Sequence, residues 1–322
     1  MRTQVMASGP IGTAGGRVAA AVPAVIRTMT GAALAAALAA AAPPAAAAEA
    51  VAPATVLKDT PYLTVGDRAL HLDAYIHPDA PRAPGPVLIH FHGGGWARGA
   101  RPASWTGFRP YVDAGFSVVT VEYRLAGEAP APAAVQDARC ALHWVGANAA
   151  RLGFDRDRIV VSGTSAGGHL ALMAGLLPAA NAIDLDTCRD APRAAAILDF
   201  YGPVDLTAMQ PGSDRLHPTV ANWIDAAPDA RALARRMSPV EWLTAAAPPV
   251  FIAHGDADPV VPVAQSADLK RRLDALGVAN DFFTVRGGGH GKFDPASQAA
   301  LTARAIAFLC AQRLPAAAAC KN

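Results

Sequence analysis

Arg158-Ile159-Val160-Val161-Ser162-Gly163-Thr164-Ser165-Ala166-Gly167 runs a β-branched stretch straight into a serine flanked by glycines. The residues that follow, 166–177, are apolar at near-helical spacing and long enough for a helix. A G-x-S-x-G match alone is weak in a chain with 28 glycines. Between a strand and a helix it acquires a physical meaning. A serine on so sharp a turn leaves no room for side chains at the flanking positions, and the helix beneath presents free N–H groups to developing negative charge. Ser165 is therefore the expected nucleophile, and the N–H of Ala166 an expected donor to an oxyanion.

Working outward, further elements fit the same plan. Residues 62–65 and 70–75 flank Gly66-Asp67-Arg68 and predict an opening hairpin. Strands are expected at 87–91, 116–121, 195–200, 250–253 and 282–285, and helices at 133–151 and 296–310, the former stopped by Gly153. Alternation of this kind predicts an α/β fold, with a mostly parallel sheet flanked by helices. Residues 203–237, with Pro211, Pro218, Trp223 and Pro228, break the alternation and read as a small insert near the active site.

Two more loops carry chemistry. His90-Phe91-His92-Gly93-Gly94-Gly95-Trp96 follows the strand at 87–91, and its glycines let backbone N–H groups approach a substrate carbonyl. Gly93 and Gly94 are expected to complete the oxyanion site with Ala166. No Lys-Ser/Thr follows, so a phosphate-binding P-loop is excluded. His92 reads as a structural loop residue. Chain order in this arrangement puts the base downstream of the serine, which leaves His169, His217, His254 and His290. His169 lies one turn along the nucleophile's own helix and is expected to point away; His254 ends a strand, and His217 sits in the insert without a partner motif. His290, in Gly287-Gly288-Gly289-His290-Gly291 between the last strand and the last helix, is taken as the base. For the acid that holds its tautomer, Asp256 and Asp258 compete after the strand at 250–253, with Asp205 a distant third. Asp258 is taken. Trp96, Tyr201 and Trp223 are candidates to line a substrate pocket.

The combination of HGGGW, Glu122-Tyr123-Arg124, GTSAGG, HGDADPVVP and GGGHG over residues 55–312 resembles α/β-hydrolases of the bacterial feruloyl and acetyl-xylan esterase type. These lie near the hormone-sensitive-lipase-like and kynurenine-formamidase-like groups. The resemblance implies the α/β-hydrolase fold and a Ser-His-Asp esterase acting on small-molecule or carbohydrate esters. It also implies that the acid is the second Asp of an HGxxD loop, which here is Asp258. Leu125-Ala126-Gly127-Glu128-Ala129-Pro130 matches the lipase-like LAPE loop only in part. An amidase, formamidase or peptidase with the same three residues is the rival enzyme class, and a non-catalytic binding protein on this fold the rival outside it.

Composition narrows the field. Net charge is +2, and Arg2, Arg17 and Arg27 all precede the first acidic residue, Glu49; the rest of the chain is close to neutral. Without a basic run, nucleic-acid binding is not expected. The hydrophobic fraction of 52% owes much to alanine in the first fifty residues and so does not argue for a membrane enzyme. Arg27, the apolar run up to Ala42 and an A-x-A site at Ala46 and Ala48 read as a signal peptide over 1–48, leaving a catalytic domain over 49–322. The run is too short to span a bilayer, which takes ~20 residues. A secreted or periplasmic location without a stable membrane span is expected. Four cysteines, Cys140, Cys188, Cys310 and Cys320, permit disulfides in that setting, and their pairing is open. Neither metal nor organic cofactor is expected.

Overall fold

The computed structural model describes residues 51–210, 212–224 and 228–320. The expected signal peptide lies outside the described residues, as does Pro211 of the insert. The sheet has eight strands in the order β1-β2-β4-β3-β5-β6-β7-β8. β1 (Thr55–Val65) and β2 (Arg68–Ile76) form the antiparallel opening hairpin, and β2 also pairs antiparallel with β4 (Ser117–Val121). From there β3 (Gly85–Phe91), β5 (Phe154–Thr164), β6 (Ala196–Phe200), β7 (Val250–Gly255) and β8 (Asn280–Val285) all run parallel. This is the α/β-hydrolase fold.

Strand residues alternate between two apolar layers because successive side chains leave a strand on opposite faces. Ile89, Val161 and Ile252 pack with α2 (Ala133–Ala147), α4 (Ala166–Leu176) and α7 (Ala264–Ala275). Leu88, Val160 and Phe251 face the other way, against α1 (Arg109–Asp113) and α8 (Pro295–Ala311). A fully buried Leu, Ile or Phe of this kind contributes about 1.5–3 kcal/mol. Both faces are covered, which is why these strands read as continuous apolar runs rather than as alternation.

The order β4-β3-β5 positions the site. The chain leaves β3 for β4 on one side, then crosses back to β5 on the other. The loops after β3 and β5 therefore meet at the carboxyl ends of the strands, at a topological switch point where open α/β sheets hold ligands.

Several elements differ from expectation. The helix expected at 133–151 is α2 followed by the single turn α3 (Ala149–Leu152), which Gly153 ends at φ 69°. The insert contains two short helices, α5 (Pro218–Ile224) and α6 (Ala230–Arg236). Neither α1 nor α7 is anticipated by the sequence reading. The cysteines pair as Cys140–Cys188, joining α2 to a turn before β6, and Cys310–Cys320, joining α8 to the C-terminal turn. No helix among the described residues is long and apolar enough to cross a membrane.

Candidate active site

Ser165 stands at the turn between β5 and α4 with φ 54° and ψ −121°, a conformation that costs a non-glycine residue free energy. The turn is held because Ser165 N–H donates to the Phe200 carbonyl at 2.8 Å. Close packing leaves no alternative at the flanks. A Cβ at Gly163 would lie 2.1 Å from the Gly167 carbonyl oxygen, and one at Gly167 2.1 Å from that of Phe91.

His290, in the loop after β8, brings Nε2 to 2.7 Å from Ser165 Oγ and Nδ1 to 2.7 Å from Asp258 Oδ2. A carboxylate can only accept, so Nδ1 carries the proton, and Nε2 is left to accept from the serine hydroxyl. Asp258, in the loop after β7, has a fully buried side chain. Its Oδ2 also accepts from His254 Nε2 at 3.1 Å, and its Oδ1 from the N–H groups of Val260 and Val261 at 2.8 and 3.0 Å. Burial is the largest single influence and opposes ionisation. The hydrogen bonds from His254, His290 and the two amides together outweigh it and hold the carboxyl well below its usual range.

The competing residues are occupied elsewhere. Asp256 accepts from Gly287 N–H at 2.6 Å, bracing the loop that carries His290. Asp205 accepts from the backbone and hydroxyl of Thr207. His254 accepts from Ser266 Oγ through Nδ1 at 2.7 Å and fixes Asp258 through Nε2. That support for the acid is invisible in the motif spacing. His217 accepts from Thr219 N–H through Nδ1. His169 turns away from Ser165 toward Trp96 and Met237.

The glycine loop is held from behind. Tyr123 Oη donates to the His92 carbonyl at 2.9 Å, and His92 Nδ1–H donates to the Gly93 carbonyl at 2.7 Å. The rings of His92 and Tyr123 stack at 4.3 Å. Each bond fixes a peptide plane whose other end is the N–H of Gly93 or of Gly94. Gly94 has φ 126°, and a Cβ there would lie 1.9 Å from the Arg98 carbonyl oxygen, so this path of the loop needs glycine. Among the described residues, no acceptor takes the N–H of Gly93, Gly94 or Ala166.

These groups open on a cavity of about 590 Å³ lined by Gly93, Gly94, Ser165, Ala166 and His290. Trp96 and Tyr201 are also on its wall. Trp223 is not. It is fully buried behind Trp96, stacked on its indole at 4.5 Å, so it backs the wall without being part of it. The sequence reading missed Arg98, Met209, Thr219, Asn222 and Val260, which also line the cavity. Three of these come from the insert, whose path no motif discloses. Among the described residues, no group of three or more His, Cys, Asp or Glu is placed to hold a metal ion.

Comparison with known proteins agrees with this architecture. The BD-FAE family model matches residues 72–273, a stretch that contains Ser165 and Asp258 and ends before His290. The esterase LipQ of Mycobacterium tuberculosis is 33% identical over 250 residues, covering 76% of this chain and 59% of LipQ. The chain thus spans under two thirds of that relative. Among solved structures, a truncated carbohydrate esterase from gut microbiota superposes with a TM-score of 0.65 at 27% identity, over 83% of this chain and 99% of that one. The butyrate-bound thermophilic esterase Est2 of Thermogutta terrifontis gives 0.69 at 26% identity, over 82% and 96%. With well over half of its length matched by the family model and the sheet order described above, the chain belongs to the BD-FAE family of α/β-hydrolases.

Proposed function

We propose that the protein is a serine hydrolase that cleaves carboxylic esters through an acyl-enzyme. The observation that carries this reading is the unbroken relay from Ser165 Oγ to His290 Nε2 and from His290 Nδ1 to Asp258 Oδ2, each link 2.7 Å. Ser165 Oγ attacks the ester carbonyl while His290 Nε2 takes its proton, and the carboxylate of Asp258 stabilises the imidazolium. The carbonyl oxygen becomes an oxyanion facing the amides of Gly93, Gly94 and Ala166. Its collapse expels the alcohol, which leaves with the proton from His290. Water, deprotonated by the same imidazole, then attacks the acyl carbon and releases the acid.

Small-molecule or carbohydrate esters are the proposed substrates. The esterase names of the relatives and an open cavity of about 590 Å³ beside the serine support that choice. Export to the periplasm or medium is proposed as well. Two disulfides favour an oxidising compartment, since cytosolic thiols are kept reduced.

Ser165→Ala tests the mechanism. Hydrolysis of p-nitrophenyl acetate should fall by at least about 10⁴-fold, and fluorophosphonate labelling should vanish. Near-native activity in that variant would refute the reading. A panel of acetyl, butyryl and feruloyl sugar esters against an aryl formamide separates esterase from amidase use of the same groups.

A further inference from the structure

We propose that His169, buried beside the nucleophile's helix turn, is a positioning residue that ties the 203–237 segment to the oxyanion loop, so that the segment helps aim the Gly93 and Gly94 amides. This rests on the reading of the Ser165 site as an ester-cleaving centre.

His169 lies four residues beyond Ser165 on α4 and is fully buried. Its Nδ1 is 3.2 Å from Trp96 Nε1, and its Nε2 is 2.7 Å from the Met237 carbonyl oxygen. An indole N–H can only donate and a carbonyl can only accept. The ring is therefore neutral, with its proton on Nε2. Burial lowers its pKa to about 4, so it keeps that form through the neutral range.

Both partners matter for what they belong to. Trp96 is the residue that ends the Gly93-Gly94-Gly95 run, and it is held at φ 57°. A strained backbone persists only where its surroundings over-determine it. Here the indole is fixed on two sides. His169 meets its ring edge-on at 5.0 Å, and Trp223 covers a face at 4.5 Å with the rings 13° from parallel. Trp223 belongs to α5, and Met237 directly follows α6. His169 and Trp223 also meet edge-on at 5.4 Å. Thr219 of α5 presses on the loop itself, since a Cβ at Gly95 would lie 2.7 Å from its Cγ2. The nucleophile helix, the glycine loop and the insert thus share one buried aromatic cluster. Neither His169 nor Trp223 lines the cavity, so neither can act by touching substrate.

An interaction that aims oxyanion donors counts more in the transition state than in the bound ester. Its loss lowers kcat and spares KM. His169→Leu removes both hydrogen bonds, and Trp223→Leu removes the stack. In each, kcat on p-nitrophenyl acetate should fall about 10- to 100-fold with KM within about threefold. His169→Gln, whose amide N–H can still donate to the Met237 carbonyl from the Nε2 position but leaves Trp96 without its acceptor, should recover part of the loss. Near-ultraviolet circular dichroism should show the coupled signal of the stacked indoles in the wild type and lose it in Trp223→Leu. Should a leucine variant fail to fold, Trp223→Phe decides: a kcat about threefold lower or more supports the proposal, and an unchanged kcat overturns it. Folded leucine variants with wild-type kcat, or with only KM raised, also overturn it. The parent reading fails differently, through a wild type inert toward esters or an active Ser165→Ala.

Discussion

Tyr123 is buried behind the glycine loop and does not line the cavity. It grips the His92 carbonyl at 2.9 Å, and the opposite end of that peptide is the Gly93 N–H that the proposed mechanism points at the oxyanion. A single neutral hydrogen bond of this kind is worth about 1 kcal/mol. Tyr123→Phe keeps the stacking on His92 and should lower kcat by roughly fivefold to tenfold with KM unchanged, as steady-state ester hydrolysis would report. A second residue-scale prediction concerns Asp199. It is fully buried at the end of β6, its Oδ1 accepts from Gly202 N–H at 2.9 Å, and burial pushes its pKa up to about 8. The folded protein therefore holds a proton that the unfolded chain, with a pKa near 3.9, has already lost. Stability is full below about pH 4 and declines as pH rises toward 8. Asp199→Asn cannot ionise and should flatten that slope. Urea unfolding should find it at least about 2 kcal/mol more stable than wild type at pH 8 and equal at pH 4, since each pKa unit carries about 1.4 kcal/mol. Residues inside contiguous motifs, such as Ser165 and His290, could be placed from the sequence because turn geometry dictates their neighbours. The contacts of Tyr123, His254 and His169 could not. They arise from contacts between elements that no local pattern encodes.

The same divide holds for elements. β3, β6, β7 and the second half of β5 are buried on both faces and announce themselves as apolar runs. α7 does not, because only Leu269 and Leu273 give it an apolar stripe. Its remaining buried face is polar. Gln265 Oε1 accepts from the N–H groups of Val204 and Asp205 at 2.9 and 2.8 Å, satisfying backbone at the start of the insert. Periodicity cannot signal a helix anchored by an amide. The insert itself was legible only as a break in alternation, since α5 and α6 have seven residues each and α5 is held by the stacking of Trp223 on Trp96. α2 offers an element-scale test. Its Arg139 is buried and binds Asp184 through Nε at 2.9 Å and Nη2 at 2.7 Å, while Nη1 donates to the Ala174 carbonyl of α4. Removing one partner strands the other charge in the interior. Asp184→Ala should cost about 3–5 kcal/mol in denaturant unfolding, and Arg139→Met with Asp184→Leu far less. An Asp184→Ala cost below about 1 kcal/mol would show that the pair is solvated in solution.

At the scale of the whole molecule, the disulfides constrain the chain unequally. Cys140–Cys188 closes a separation of 48 residues and spans from α2 past α4 to the turn before β6, so opening it frees much of one helical layer in the unfolded chain. Cys310–Cys320 closes only 10 residues, and the tail it holds also docks at the residue after α1, Ala316 N–H donating to the Ala114 carbonyl at 3.2 Å. Loop-closure entropy assigns about 4 kcal/mol to the first bridge and about 3 kcal/mol to the second. The second value is an upper bound on the global effect, because a short terminal turn can fray while the sheet stays intact. Replacing Cys140 and Cys188 together by alanine should lower Tm by about 8–15 °C, and replacing Cys310 and Cys320 should lower it by less. Ser165, Asp258 and His290 sit on loops after β5, β7 and β8, and no bridge cysteine lines the cavity, so ester hydrolysis below the lowered Tm should survive in each variant. Wild type treated with dithiothreitol under partly denaturing conditions should reproduce the Cys140/Cys188 loss in a thermal scan. A Tm indifferent to that treatment, with both thiol pairs titrating as free, would mean that the bridges contribute no stability and that the fold stands on its two apolar layers alone.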